Sequence, residues 1–219
     1  MIRICPSILN VDRLILPKAI SAIESVADLL HLDVMDNRFV PNQTFSFAES
    51  EVIIKETDLP VDAHLMITDP DEQAYKYAKA GAASVTFHLE ASKNPLATIE
   101  AIKGAGARVG VALKPDTSFE KLAPYLEFID MALIMTVEPG FGGQSFMHSM
   151  MAKVETARKE IDSHNYKDIW LQVDGGISLE TILIARTAGA DTFVAGNAIF
   201  NSTDPVATIN LLRDTAATY

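Results

Sequence analysis

The chain has 219 residues, of which 48% are apolar and 21% charged, which predicts one globular domain with a large buried core. Its net charge of −11 argues against nonspecific binding to nucleic acid, which requires a basic surface. Cys5 is the only cysteine, no apolar run approaches the ~20 residues of a membrane span, and Met1–Ile4 lack a signal-peptide pattern, so we expect a cytoplasmic protein without disulfides or membrane contact.

A short apolar run, a polar turn and a segment of helical period alternate along the chain. Strands are predicted at Ile2–Ile8, Leu29–Val34, Val61–Met66, Ser84–His88, Val109–Leu113, Met131–Val137, Ile169–Val173 and Thr192–Ala195. Helices are predicted at Leu14–Val26, Glu72–Ala80, Leu96–Ala105, Phe119–Leu126, Met150–Ser163, Leu179–Ala188 and Val206–Ala216.

This alternation indicates parallel strands joined by right-handed crossovers. Continuous apolar strands such as Val109–Leu113 are typical of a sheet that is buried on both faces. Eight units of this kind can close into a barrel or form an open, doubly wound sheet. Because no linker or change in composition divides the chain, we favour an α/β fold of one domain, a (β/α)8 TIM barrel over residues 1–219.

Polar side chains occur at the carboxyl end of nearly every predicted strand. In chain order they are Ser7, His31, Asp33, His64, His88, Glu90, Lys114, Thr136, Glu138, Asp174, Gly196 and Asn197. A buried strand gains nothing from such residues, whereas a barrel builds its active site on this face. The pattern therefore predicts an enzyme.

Four of these residues form a candidate metal site. His31 and Asp33 are two residues apart on one strand and point to the same face, His64 ends the next strand, and Asp174 ends the seventh. Two histidines and two carboxylates suit Zn²⁺, Fe²⁺ or Mn²⁺. The alternative is that the histidines satisfy backbone groups and the aspartates cap loops, but four such residues at the same end of three strands favour the metal site.

The other strand-end residues are less specific. His88 can orient a neighbouring ligand, and Glu90 can instead cap the following turn. Lys114 is a weak candidate for a Schiff-base amine, because no partner that would lower its pKa is evident. Three methionines follow ligand-type positions and can form an apolar wall around a substrate: Met35, Met66 and Met135.

Glycine clusters mark the end of the sixth, seventh and eighth units, at 140–143, 175–176 and 196. Glycine allows backbone N–H groups to approach an anion closely, and the loops after strands seven and eight commonly bind phosphate in barrels. The clusters therefore predict a phosphate site that needs no cluster of lysine or arginine.

Several segments, in this order, carry a resemblance to a known family. They are Pro6-Ser7-Ile8-Leu9, His31-Leu32-Asp33-Val34-Met35-Asp36, Phe39-Val40-Pro41-Asn42, Asp62-Ala63-His64-Leu65-Met66, the run from Met135 to Gln144, Val173-Asp174-Gly175-Gly176 and Gly196-Asn197-Ala198-Ile199-Phe200. On these residues the chain resembles the ribulose-phosphate 3-epimerase family over essentially its whole length.

The resemblance implies roles for individual residues. One divalent ion per subunit would be bound by His31, Asp33, His64 and Asp174, and Asp33 and Asp174 would also be the catalytic acid/base pair. Substrate would be bound by Ser7, His31, His64, Gly140, Phe141, Gly142, Gly143, Gly175, Gly176, Gly196 and Asn197. The resemblance also implies a homo-oligomer, a dimer or a hexamer.

The implied reaction converts D-ribulose 5-phosphate to D-xylulose 5-phosphate in the pentose phosphate pathway. Removing the C3 proton from one face and returning one to the other requires two acid/base groups, and the intermediate is a 2,3-enediolate. Asn37, Phe45-Ser46-Phe47 and Asn10-Val11 depart from the usual family residues, which leaves a related ketose phosphate such as allulose 6-phosphate as an alternative substrate.

Two other classes fit less well. Decarboxylases and aldolases similar to orotidine-phosphate decarboxylase carry Asp-x-Lys-x-x-Asp at a strand end, but Met35 stands where that lysine would follow Asp33. A barrel kept only for binding or scaffolding would lack an acid/base residue or a glycine cluster, and none is missing.

Overall fold

Eight parallel strands form the inner layer of the structure, a computed structural model in which residues 1–218 are described. They are β1 (Arg3–Pro6), β2 (Leu30–Met35), β3 (Val61–Met66), β4 (Ser84–His88), β5 (Arg108–Leu113), β6 (Met131–Met135), β7 (Trp170–Asp174) and β8 (Thr192–Ala195). From β2 to β8 each strand pairs with the next one in sequence, and β1 pairs with β8. A parallel bridge between Ser7 and His31 joins β1 to β2 and completes the ring. The predicted (β/α)8 barrel is confirmed.

Helices cover the outside of the strands. They are α1 (Leu16–Ser21), α2 (Phe47–Glu56), α3 (Pro70–Ala80), α4 (Pro95–Gly104), α5 (Met151–Ser163), α6 (Thr181–Thr187), α7 (Asn197–Phe200) and α8 (Pro205–Ala217). Short 3₁₀ turns lie at Leu89–Ala91, Phe119–Lys121, Ala123–Phe128 and His148–Met150. Among residues 1–218, no helix combines the length and apolar character needed to cross a membrane.

Besides the short helix α7, which was not predicted, three helical segments differ from the prediction. The α-helix predicted at Phe119–Leu126 is wrong: 3₁₀ turns occupy the segment, where Pro124 has no N–H to donate to an α-helical ladder. The first helix is shorter than predicted, because Pro17 sits in its first turn and tighter i→i−3 bonds replace the α-helix after Ser21. The helix α2 was not predicted at all.

Alternation along the strands separates the core from the site. On β2, Leu30, Leu32 and Val34 belong to the large apolar cluster between strands and helices. The intervening residues His31, Asp33 and Met35 therefore point into the barrel. Register aligns Asp33 with His64 on β3, so polar side chains from neighbouring strands meet at the carboxyl end of the barrel.

Candidate active site

The four predicted metal ligands converge at the carboxyl end of the barrel. One ligand atom from each of His31, Asp33, His64 and Asp174 can be chosen so that all lie within 4.8 Å of one another. Asp33 Oδ1 lies 3.4 Å from His31 Nε2 and 3.1 Å from His64 Nδ1. Asp174 Oδ2 lies 3.6 Å and 3.5 Å from the same two nitrogens. The geometry thus brings together residues that are up to 143 positions apart in sequence (174 − 31).

The chemistry of this cluster fits a divalent metal ion. His31 Nε2 is buried and has no hydrogen-bond partner, although it points at two carboxylates. Two imidazole nitrogens and two carboxylate oxygens form a donor set that zinc, iron and manganese accept. An ion among these atoms would satisfy Nε2 and offset the repulsion between the two carboxylates.

The buried carboxylate of Asp62 orients His31, a role that the sequence analysis missed. Asp62 Oδ2 lies 2.9 Å from His31 Nδ1, so an N–H at Nδ1 leaves the lone pair of Nε2 facing the cluster. Asp62 also accepts hydrogen bonds from Ser84 and Gln172, at 2.6 Å and 3.0 Å. The available signal was the spacing: Asp62 and His64 are two residues apart on one strand and share a face.

The pKa values of the four residues in the cluster reflect the attraction between the two histidines and the two aspartates. Burial lowers the pKa of His31, but the Asp33 charge and the close contacts of the ring with Asp174, Asp33 and Asp62 raise it well above its ordinary value. Burial also lowers the pKa of His64, and hydrogen bonds to Asp174 and Asp33 outweigh that effect. Conversely, burial raises the pKa values of Asp33 and Asp174, but the two histidines lower both below the ordinary value.

His88 and Glu90 lie behind His64, away from the cluster. The Nε2 atoms of His64 and His88 are 3.0 Å apart, and burial lowers the pKa of His88 to about 4. Glu90 Oε1 accepts a hydrogen bond from the backbone N–H of Lys114 at 2.7 Å, so it binds the next strand end instead of capping its own turn. The Lys114 ammonium lies 3.8 Å from the Phe39 ring centroid and does not line the central cavity, an arrangement that gives no support to a Schiff-base role.

A cavity of about 320 Å³ opens above the cluster. Ser7, Asp33 and Asp174 line it, and the Ser7 hydroxyl donates a 2.7 Å hydrogen bond to Asp33 Oδ2. Met35, Met66 and Met135 supply the apolar wall that the sequence suggested. His31 and His64 do not line the cavity, because both rings are fully buried. Direct contact of these two histidines with a sugar stays a prediction.

The predicted glycine clusters form one side of this cavity. Its lining includes every predicted phosphate-site residue, namely Gly140, Phe141, Gly142, Gly143, Gly175, Gly176, Gly196 and Asn197. Gly176 has φ +67°, and a Cβ there would lie 2.6 Å from the backbone nitrogen of Phe146. The chain can approach this closely only because residue 176 has no side chain.

Asn10 is a lining residue to which the sequence analysis gave no binding role. Its Nδ2 donates a 2.9 Å hydrogen bond to Asn197 Oδ1, so it joins the loop after β1 to the first residue of α7. The other departures from the family pattern lie outside the cavity and have structural roles. Asn37 adopts the left-handed φ of +56°, and Ser46 caps α2.

A barrel with a cavity at the carboxyl ends of its strands, above a cluster of four candidate metal ligands, is typical of the class of (β/α)8 enzymes. The ribulose-phosphate 3 epimerase family model matches residues 3–200. The ribulose-phosphate 3-epimerase of Mycobacterium bovis is 45% identical, and the match covers 96% of this chain and 91% of that protein. The cytoplasmic isoform of Oryza sativa is 42% identical over 96% of this chain and 92% of its own length. The chain therefore belongs to the ribulose-phosphate 3-epimerase family and is an enzyme.

A solved structure of KGPDC from Streptococcus mutans superposes with a TM-score of 0.72 over 99% of this chain and 98% of that chain. At 16% sequence identity this likeness concerns the barrel fold alone. The functional argument depends on the family match and on the residues of the site.

Proposed function

We propose that this enzyme epimerises C3 of D-ribulose 5-phosphate to give D-xylulose 5-phosphate. The observation that carries the proposal is the placement of two carboxylates, Asp33 and Asp174, in the lining of one cavity and within one four-ligand cluster. Epimerisation next to a carbonyl requires a base on one face of the substrate and an acid on the other. The family match supports this reaction over other proton transfers.

In the proposed mechanism Asp33 removes the C3 proton and Asp174 returns one to the opposite face. Asp33 has a lowered pKa, so it is a carboxylate that can accept a proton, and Ser7 fixes the orientation of its Oδ2. The Asp174 side chain is 15% exposed and that of Asp33 is 4% exposed, so Asp174 is better placed to exchange protons with water between turnovers. Loss of the C3 proton gives a 2,3-enediolate, which is planar at C3 and can be protonated from either face.

His31, Asp33, His64 and Asp174 would hold one divalent ion, with Zn²⁺, Fe²⁺ and Mn²⁺ as the candidates. When bound, such an ion supplies Lewis-acid stabilisation of the negative charge that develops on the substrate oxygens. The protein contributes the orientation: Asp62 fixes the His31 ring, and the two aspartates keep their positions at the cavity floor.

We propose that the glycine loops bind the substrate phosphate through backbone N–H groups. Among residues 1–218, no lysine or arginine lines the cavity, so side-chain cations do not supply this site. Gln144 donates hydrogen bonds to the backbone oxygens of Glu138 and Phe141, and Asn42 donates one to Gly140. These bonds hold the loop that begins at Gly140 against the cavity, where its N–H groups can face an anion.

Asn10 is the residue that could favour the alternative substrate, a six-carbon ketose phosphate such as allulose 6-phosphate. It is the departure from the family pattern that lines the cavity. We therefore expect ribulose 5-phosphate to be preferred, with the ratio of kcat/KM for the two ketoses changing in an Asn10→Ser variant. An unchanged ratio would remove Asn10 from the discrimination.

The test of the proposed function is to remove the metal and restore it. Chelated protein, verified as metal-free by elemental analysis, should lose conversion of ribulose 5-phosphate and regain it with one or more of Zn²⁺, Fe²⁺ and Mn²⁺. Full activity in verified metal-free protein would contradict the role of the cluster.

We also propose a cytoplasmic homo-oligomer. The single, fully buried cysteine and the name of the rice relative, a cytoplasmic isoform, support the location. Exposed apolar side chains at the adjacent residues Leu14 and Ile15 support self-association, because exposed apolar groups close together favour a contact between protein surfaces. Light scattering coupled to size exclusion would separate a dimer or hexamer from a monomer.

A further inference from the structure

A line of buried polar groups runs from the candidate metal cluster through His64 to the end of β4. His64 Nδ1 faces the cluster, and its other nitrogen, Nε2, lies 3.0 Å from Nε2 of His88. Both rings are fully buried, and neither lines the cavity. His88 Nδ1 lies 3.3 Å from Glu90 Oε2, and the opposite oxygen of Glu90 accepts the N–H of Lys114.

When a metal ion binds His64 Nδ1, the hydrogen-bond donors and acceptors along this line can follow only one order, with each proton directed away from the ion. A neutral His64 that offers its Nδ1 lone pair to an ion carries its proton on Nε2, and that proton must be accepted by His88 Nε2. His88 then carries its own proton on Nδ1, which lies 3.3 Å from Glu90 Oε2, close enough for attraction although not in hydrogen-bond geometry. Because an ionised carboxylate only accepts hydrogen bonds, Glu90 favours this arrangement over the reverse one.

We propose that His88 and Glu90 are positioning residues, which fix the tautomer and ring orientation of His64 and thereby set the affinity of the metal site. The inference rests on the proposed function, in which His64 is a metal ligand. It parallels the fully buried contact of Asp62 with His31, so each histidine ligand has a partner on the side away from the cluster. The Phe39 ring packs against the His88 ring, with the two ring centroids 4.9 Å apart.

The test measures metal affinity directly. Demetallated protein is titrated with Co²⁺ alone, and the dissociation constant is taken from the visible absorption of the bound ion. In His88→Leu, which has no acceptor for His64 Nε2, the dissociation constant should rise about 10- to 100-fold. In His88→Gln, whose amide oxygen can accept the same proton, it should return to within a few-fold of the wild-type value.

Two further variants complete the design. Glu90→Gln replaces the acceptor-only end of the line with a group that can also donate, so a smaller rise in the same dissociation constant is expected. Thr86→Val is the matched control, because Thr86 lies on the same strand, is fully buried and has a hydroxyl without a hydrogen-bond partner. Its affinity for Co²⁺ should equal that of the wild type.

The outcomes separate the inference from the proposed function. Wild-type affinity in a folded His88→Leu protein, or equal losses in the leucine and glutamine variants, would overturn the positioning role alone. If His88→Leu does not fold, unchanged affinity in Glu90→Gln would overturn it. A wild-type protein that binds no Co²⁺ would overturn both the inference and the metal in the proposed function.

Discussion

At the scale of single residues, Asp33 and Asp174 belong to one cluster but differ in their surroundings. Asp33 accepts a hydrogen bond from the Ser7 hydroxyl, whereas the Asp174 side chain is the more exposed of the two. Their positions were predictable, because each lies near the carboxyl end of a strand, and these ends face the barrel mouth. Asp62, the partner of His31, was not assigned a role, because its contact with His31 depends on the register between β2 and β3.

Replacing Asp174 by Asn removes the proposed proton donor and keeps the shape of the side chain. Turnover of ribulose 5-phosphate should fall by about 10²–10⁴-fold, the usual contribution of general acid–base catalysis. Circular dichroism should show an unchanged fold. The control Asp214→Asn, on the exposed face of α8, should keep wild-type turnover. Activity of Asp174→Asn within a few-fold of the wild type would contradict the two-aspartate scheme.

Gly176→Ala adds one methyl group to the glycine loops that are proposed to bind the substrate phosphate. The new Cβ would meet the backbone of Phe146 at 2.6 Å in a left-handed conformation, so the loop must move. We expect a loss of stability of about 1–3 kcal/mol and weaker competitive inhibition by inorganic phosphate. Gly104→Ala is the matched control, since nothing lies within 4 Å of its Cβ position. Its stability should equal or exceed that of the wild type, and its inhibition by inorganic phosphate should be unchanged.

At the scale of elements, the strands were predicted better than the helices. The strands Val61–Met66, Ser84–His88 and Thr192–Ala195 have the predicted bounds. Helix α2 was missed although Ser46 and Glu49 form a capping box at its start. Its buried residues are few and include the polar Ser50, which weakens the apolar periodicity that the prediction used.

Ser46→Ala measures how much this cap contributes to stability. The Ser46 hydroxyl accepts the N–H of Glu49 at 3.3 Å, and the Glu49 carboxylate accepts the N–H of Ser46 at 2.7 Å. Loss of the first bond should lower the free energy of unfolding in urea by about 1 kcal/mol while activity is kept. The control Ser163→Ala, at the exposed carboxyl end of α5, should change it by less than about 0.5 kcal/mol. Equal effects of the two substitutions would contradict the capping role.

At the scale of the whole molecule, one partly buried polar contact links stability to pH. Asp71 of α3 accepts four hydrogen bonds from the segment 92–98, two from hydroxyls and two from backbone N–H groups. Partial burial raises the pKa of Asp71, but these bonds outweigh burial and lower it below the ordinary 3.8. Because the folded pKa is the lower one, this contribution is fully present above about pH 4 and is lost as the pH falls through the folded pKa.

Asp71→Asn should therefore be less stable than the wild type at pH 7 and should lose less stability between about pH 4 and pH 2. Urea unfolding at a series of pH values measures the difference. The Asp214→Asn protein should follow the wild-type curve. Parallel curves for Asp71→Asn and the wild type would show that Asp71 does not contribute to the acid response.

The overall architecture was predictable because a repeated strand–helix pattern has few ways to close, and the barrel brings all strand ends to one face. The pairing between loops was not predictable to the same degree. The contact of Asn10 with Asn197 joins residues 187 positions apart, and no local pattern encodes it.

The central claim is that protons at C3 of ribulose 5-phosphate are exchanged between two aspartates and the solvent. The most direct measurement is the reaction of metal-loaded enzyme in D₂O, followed by proton NMR at C3 of the product. We expect xylulose 5-phosphate with deuterium at C3, because Asp174 would deliver a deuteron taken from the solvent. A product that keeps the original hydrogen at C3, or the absence of any xylulose 5-phosphate, would contradict the account.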